Sequence, residues 1–377
     1  MSDELLKQRV LELSVLHGVS SREEDVIAYM RKEFQKITSD VTVDVLGNVI
    51  LRIPSGRKNA KRLMVFAHTD ELGFIVRRVE ADGFVRITRV GGVSVNVLPG
   101  SRVDVLGKKG TVTGVIGLKS HHVTKPEEKG HIAAVDDLYV DLGFSSKEEV
   151  NRAGIYTGCF CTFAAQKPLI LNGSRICAKA MDDRACCAAM IHYAEYVKLL
   201  ADSGQLHWDI YVVACVQEEF NVRGIMPAVN RILPDAAIGL DIAVSTDTPD
   251  LAGAGEICLG GGPGVTYLNF HGRGTLAGVL PDKNLLEELE AVCEASQIPF
   301  QREVIIGLIT ENAFISFQNQ GVPVANLSLP CRYTHTAIEM IDLCDLELLI
   351  QVLNEFTKRL RPDQSFGKND GRKEETT

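Results

Sequence analysis

The 377-residue chain carries 49 acidic residues against 40 lysines and arginines, a formal net charge of −9, and 45% of it is hydrophobic. That balance, with no basic cluster interleaved with aromatics, argues against a nucleic-acid surface. No uncharged run approaches membrane-spanning length, and Met1-Ser2-Asp3-Glu4 lacks the apolar core of an export signal, so a cytoplasmic protein without membrane contact is expected. The ten cysteines fall mostly in apolar segments, without zinc-finger spacing, and read as reduced, buried thiols.

Leu6, Val10 and Leu13 recur at helical spacing, and Gly18 ends the pattern. Ser21-Arg22-Glu23-Glu24 reads as a capping box for a helix whose buried stripe is Val26, Ile27, Met30 and Phe34. Val41–Val45 alternates like a strand, and Leu63–Ala67 is an apolar strand ending in His68-Thr69-Asp70-Glu71. From Gly73 to about Phe163, short alternating runs separated by Gly-rich turns predict a small β-barrel or sandwich. Its one candidate site, His121-His122, lies in a polar loop and reads as solvated.

Alternation of strands and helices resumes after Lys167. Ile176–Ala180 leads into Met181-Asp182-Asp183-Arg184 and a small-residue helix from Ala185 to Leu200. Ile210–Val216 is short, β-branched and nearly uncharged, the texture of a strand buried on both faces, and it runs into Gln217-Glu218-Glu219. Ala236–Leu240 ends in Asp241. A helix is expected around Glu311 to Gln320, then an apolar run, Val324–Leu329, leading to Pro330-Cys331-Arg332-Tyr333-Thr334-His335. Asp345–Leu360 is a final amphipathic helix, and Arg361–Thr377 reads as a disordered tail. The expected architecture is an α/β domain with a mixed sheet sandwiched by helices (residues 1–72 plus 165–360), interrupted by a β-rich insert (73–164).

His68, Asp182, Glu219, Asp241 and His335 share one description: an apolar run or short loop delivers a ligand-type side chain to a sheet edge. Two imidazoles and three carboxylates suit zinc, cobalt or manganese. They serve two metals if one carboxylate bridges, the co-catalytic hydrolase arrangement. Asp70, two residues beyond His68 on an extended chain, shares its face and is placed to orient the imidazole. Of the adjacent pair Glu218-Glu219, one can hold metal while the other faces substrate.

The segments His68-Thr69-Asp70-Glu71-Leu72-Gly73-Phe74, Met181–Arg184, Val216–Glu219, Leu240-Asp241 with Asp247-Thr248-Pro249, and Arg332–Thr336 occur in an order that resembles the tetrahedral aminopeptidases. That family includes glutamyl aminopeptidases and proteins formerly labelled cellulase M or endoglucanase. The resemblance covers about residues 5–360. It implies a catalytic α/β domain with a PDZ-like or barrel insert used in subunit contacts, and a homo-oligomer such as a tetrahedral dodecamer. By position it implies one metal on His68, Asp182 and Asp241 and a second on Asp182, Glu219 and His335. Asp182 would bridge, Glu218 would be the general base, and Asp70 would support His68. The chain departs from the family pattern at Phe220-Asn221, Cys186-Cys187 and Glu311, which bears on substrate preference and turnover.

The function expected is removal of N-terminal residues from short peptides by metal-activated water, using two divalent ions, zinc first, with cobalt or manganese as alternatives. A metal-dependent amidase or deacylase shares every ligand. A glycosidase would have no use for the two histidines, and an inactive scaffold would not need Glu218.

Overall fold

The computed structural model describes residues 4–130, 133–272 and 278–368. Helices α1 (Glu4–Ser14) and α2 (Glu24–Ile37) precede strands β1 (Val41–Val43), β2 (Val49–Ile53) and β3 (Arg62–His68). Six strands then form the insert: β4 (Gly73–Val79), β5 (Val85–Val90), β6 (Arg102–Gly107), β7 (Gly110–Ile116), β8 (Tyr139–Asp141) and, after the short α3 (Lys147–Arg152), β9 (Phe160–Phe163). They close into a barrel in the order β4-β5-β8-β7-β6-β9, filled by residues such as Phe74, Val85, Ile87, Val103, Val105 and Cys161.

The chain returns through β10 (Leu169–Leu171) and β11 (Arg175–Ala178) to α4 (Met181–Asp202), β12 (Asp209–Cys215), α5 (Met226–Ile232) and β13 (Ala236–Val244). Next come β14 (Gly264–Phe270), β15 (Gly278–Val279), α6 (Lys283–Ser296), β16 (Gln301–Ile306), α7 (Asn312–Ile315), β17 (Val324–Arg332), β18 (Glu339–Asp342) and α8 (Leu343–Arg359). The main path of the sheet runs β1-β2-β12-β3-β13-β17-β18-β11-β10, with β14 branching from β17 and carrying β15 and β16. It is mixed: β12, β3, β13 and β17 are mutually parallel, whereas β2 and β18 pair antiparallel with their neighbours.

The apolar texture of the central strands follows from burial on both faces. On β3, Leu63, Val65 and Ala67 join the core under the large helices, and Met64 and Phe66 join the core opposite. On β12 the same two-residue period sends Ile210, Val212 and Ala214 one way and Val213 and Cys215 the other. Helix α4 is buried nearly all round at its start, and Ala185, Cys186, Cys187, Ala188 and Ala189 are small enough for it to lie close on the sheet. Eight of the ten cysteines are buried as free thiols; Cys258 is half-buried and Cys344 exposed.

Three local expectations are corrected. Ser21 does not cap α2: it sits at φ 73°, and the Glu23 carboxylate turns to accept the N–H of Ser21 at 2.8 Å and of Gln217 at 3.1 Å. The helix expected over Glu311–Gln320 is only α7, four residues long. The start of the expected disordered tail is docked: the Trp208 indole donates to the Arg361 carbonyl at 2.9 Å, and Phe366 packs against Trp208 and Phe356. Residues 369–377 of that tail lie outside the described residues.

Candidate active site

The four parallel strands deliver their carboxyl ends to one edge. β3 and β12 stay paired up to His68 opposite Cys215, so Gln217-Glu218-Glu219 leaves the sheet just beyond His68. β3 and β13 are paired only as far as Phe66 opposite Gly239, whereas β13 continues with β17 to Val244 opposite Cys331. Neighbouring strands thus part just before His68 and Asp241, which opens a crevice at the strand ends. Asp182 enters from the start of α4, where its backbone is still non-helical, and His335 from the loop between β17 and β18.

The crevice brings together His68, Asp70, Asp182, Glu218, Glu219, Asp241 and His335. His68 Nε2 lies 3.1 Å from Asp182 Oδ1 and 4.0 Å from Glu218 Oε2. His335 Nε2 lies 3.7 Å from Asp182 Oδ2 and 3.7 Å from Glu219 Oε2. His68 Nδ1 faces the Asp70 carbonyl at 3.2 Å and its carboxylate at 3.5 Å. Asp70 is completely buried, and its two carboxylate oxygens accept the backbone N–H groups of Glu218 and Glu219 at 2.8 and 3.1 Å.

These loops are held in uncommon backbone conformations. Ala180, Gln217, Tyr333 and His335, each within two residues of a ligand-type side chain or one itself, have φ between 57° and 63°. A non-glycine residue there costs on the order of 1–2 kcal/mol and persists where surrounding contacts fix it. The barrel supplies such contacts. The Gly92 carbonyl sits 2.9 Å from His335 Nδ1, and Ser94 N–H donates to the His335 carbonyl at 3.3 Å. Gly91 has φ +89° and packs against Leu72 and the Glu219 carbonyl, where a side chain would collide.

Electrostatics mark the site as a cation cradle. Glu218, Glu219 and Asp241 are all pushed well above the usual carboxylate range, first by burial and then by neighbouring acids, with His68 opposing. Asp182 is held below its usual value despite its burial, because it is hydrogen-bonded to His68. His68 is itself raised well above the usual imidazole value: burial opposes its charge, but Asp182 and Asp70 outweigh that. Donor atoms of His68, Asp182 and Glu219 lie within 4.8 Å of one another, and so do those of Glu218, Asp241 and Glu311. Buried imidazole and carboxylate donors at this spacing, with several acids crowded together away from water, fit divalent cations.

Three further acids were not picked out from sequence as site residues. Glu311, 1% exposed, takes the Cys215 thiol on Oε1 at 3.0 Å and leaves Oε2 without a partner among the described residues. Glu339 accepts the N–H groups of Asp182 at 3.0 Å and His335 at 2.8 Å, tying two ligand loops together. Glu23 binds the loop before Glu218. None directly follows an apolar strand-like run, so the sign that singles out the others is missing.

A cavity of about 690 Å³ opens onto Asp182, Glu218, Glu219, Asp241 and His335. The sequence profile of the M42 glutamyl aminopeptidases matches residues 47–352. The chain belongs to that family. It is therefore a peptide-bond hydrolase, an aminopeptidase of a metal-dependent class. The putative aminopeptidase SgcX of Escherichia coli is 42% identical over 348 residues, 92% of each chain. An aminopeptidase of the archaeon Desulfurococcus kamchatkensis superposes with a TM-score of 0.87 over 96% of each chain at 31% identity. The Pyrococcus horikoshii TET1 peptidase, described as assembling into a tetrahedron or a large octahedral shell, gives 0.80 over 94% of this chain and 100% of its own at 26% identity. The closed barrel on a mixed α/β sheet is thus the fold of the M42 enzymes.

Proposed function

We propose that the chain is a two-metal aminopeptidase acting on short peptides, with Asp182 bridging the metals and Glu218 as general base. The observation that carries this reading is the placement of Asp182 between two imidazoles: one oxygen faces His68 at 3.1 Å and the other faces His335 at 3.7 Å. A carboxylate presenting each oxygen to a different histidine is disposed to bridge two cations. His68, Asp182 and Asp241 would hold one ion, and Asp182, Glu219 and His335 the other; the donor set suits zinc, cobalt or manganese. Bound there, such ions lower the pKa of water and polarise the scissile carbonyl.

Within the chain's own chemistry, Glu218 takes a proton from the attacking water and returns it to the departing amine. Its side chain lines the cavity while its backbone N–H is held by Asp70, so the carboxylate is aimed at substrate from a fixed base. Asp70 at the same time faces Nδ1 of His68, leaving Nε2 directed at Asp182.

The assembled form we propose is a homo-oligomer larger than a dimer, by analogy with the shell-forming TET1 peptidase and with the barrel in subunit contacts. Among the described residues no helix is long and apolar enough to cross a membrane. The test is hydrolysis of aminoacyl anilides and short peptides before chelation, after it, and after adding back zinc, cobalt or manganese, with light scattering on the same preparation. Activity should vanish and return. Full activity in chelated, metal-free protein would refute the metal reading, and a monomer at micromolar concentration would refute the assembly.

A further inference from the structure

The insert contributes more than contacts to the ligand loops. Arg89, on β5, lines the active-site cavity. It shares the strand parity of Val85 and Ile87, which fill the barrel, but at the strand's end it clears the interior and is exposed. Its backbone is fixed from both sides. It pairs with Phe74 on β4, and three residues later Gly92 meets the His335 ring. Yet its guanidinium has no hydrogen-bond or ion-pair partner among the described residues.

The other walls of the cavity show what that cation is for. Among the described residues its lining acids, Asp182, Glu218, Glu219 and Asp241, all belong to the proposed metal and catalytic set. The remaining lining is largely apolar, with Phe220, Val244, Ile305, Leu308 and Ile309 prominent. Among the described residues Arg89 forms no ion pair with any of these four acids. A planar guanidinium left free at a partly apolar cleft matches a carboxylate in a two-point fork.

We infer that Arg89 is a specificity residue that binds a carboxylate of the peptide substrate. This deepens the aminopeptidase reading and rests on it. The carboxylate has two possible sources, an acidic N-terminal side chain or the free C-terminus of a very short peptide. Among the described residues that line the cleft, a basic N-terminal side chain would find no acid outside the proposed metal and catalytic set.

The experiment compares kcat/KM on the metal-loaded full-length protein for two matched pairs: leucyl-alanine against leucyl-alanine amide, and glutamyl against glutaminyl anilide. A lysyl anilide is added as the cationic control. In the wild type the carboxylate member of at least one pair should lead by about tenfold, the scale of one hydrogen bond to a charged group. The leading pair names the source. In Arg89→Met that ratio should collapse towards one while the lysyl substrate gains on the others. Arg89→Lys, keeping charge without the fork, should fall between. Metal content and melting temperature of each variant establish that the site is intact. Ratios near one in the wild type, ratios unchanged in Arg89→Met, or a lysyl preference in the wild type would each overturn the inference. A wild type that hydrolyses none of the panel would instead overturn the aminopeptidase reading beneath it.

Discussion

Asp70 holds Glu218 by its backbone: one carboxylate oxygen of the first accepts the N–H of the second at 2.8 Å. The other oxygen accepts the N–H of Glu219 at 3.1 Å and the Ser20 hydroxyl at 2.5 Å. Asp70 therefore fixes the loop carrying both glutamates as well as facing His68. An amide in its place would turn an NH2 group towards one of these donors. We expect Asp70→Asn to lose about 10–100-fold in metal affinity, the usual scale for a residue that orients ligands. Titration of the apo variant with zinc, followed by calorimetry, measures this. Wild-type affinity in Asp70→Asn would show that the clamp is dispensable.

The same strand end is tied down from below. Lys179 donates to both oxygens of Glu71 at 2.8 Å and to the Leu16 carbonyl at 2.8 Å, and both side chains are 4% exposed. The pair joins the loop carrying His68 and Asp70 to the residues just before Asp182. Removing one partner of a buried pair costs about 3–5 kcal/mol, because the other charge is left behind. Lys179→Met should therefore melt markedly lower than the wild type, and the double variant Glu71→Gln, Lys179→Met should recover much of the loss. Equal melting temperatures for the single and double variants would argue that Glu71 finds sufficient compensation in Arg184 at 3.7 Å and Gly18 N–H at 3.1 Å.

The central strands were legible because burial on both faces demands continuous apolar, β-branched runs, and Leu63–Ala67 and Ile210–Val216 supply them. The residues following those runs were legible as a site because a parallel sheet brings strand ends to one edge. Glu311 was not legible in this way. It precedes a four-residue helix, and what brings it under the site is tertiary: it meets Cys215, across the fold, whose thiol donates to it. The capping box read at Ser21–Glu24 rested on local spacing alone; the long-range partner of Glu23, the N–H of Gln217, has no local trace in sequence. Residues 361–368 read as tail because their composition is polar, yet Phe366 anchors them on Trp208.

Glu23 makes stability depend on pH. Burial, and then the charge of Asp70, raise its carboxyl to about 7. In the unfolded chain it would titrate near the ordinary value of about 4.3. Between these two values the folded state binds a proton that the unfolded state has released, so the contribution of Glu23 to stability falls as pH rises through that window and is level above it. Glu23→Gln keeps an acceptor for Ser21 and Gln217 and removes the titration. In metal-saturated protein, the fall in melting temperature between pH 5 and 7 should be shallower for Glu23→Gln than for the wild type. Parallel curves would mean that Glu23 does not titrate in this range.

Glu218 and Glu219 are adjacent in sequence but face different neighbours. Glu219 lies 3.7 Å from His335, whereas Glu218 groups with Asp241 and Glu311 and stands 4.0 Å from His68. If Glu218 is the base and Glu219 a ligand, their amides should fail differently. Glu218→Gln preserves shape and every proposed ligand, so it should keep its metals and lose about two to four orders of magnitude in kcat. Glu219→Gln exchanges an anionic donor for a neutral one and leaves Asp182 and His335 to hold the second ion. Its first defect should be lower metal occupancy, partly repaired by excess metal. Elemental analysis beside kcat on both variants separates the cases. Metal loss in Glu218→Gln with full occupancy in Glu219→Gln would reverse the two roles and place Glu218 with Asp241 and Glu311 as a ligand.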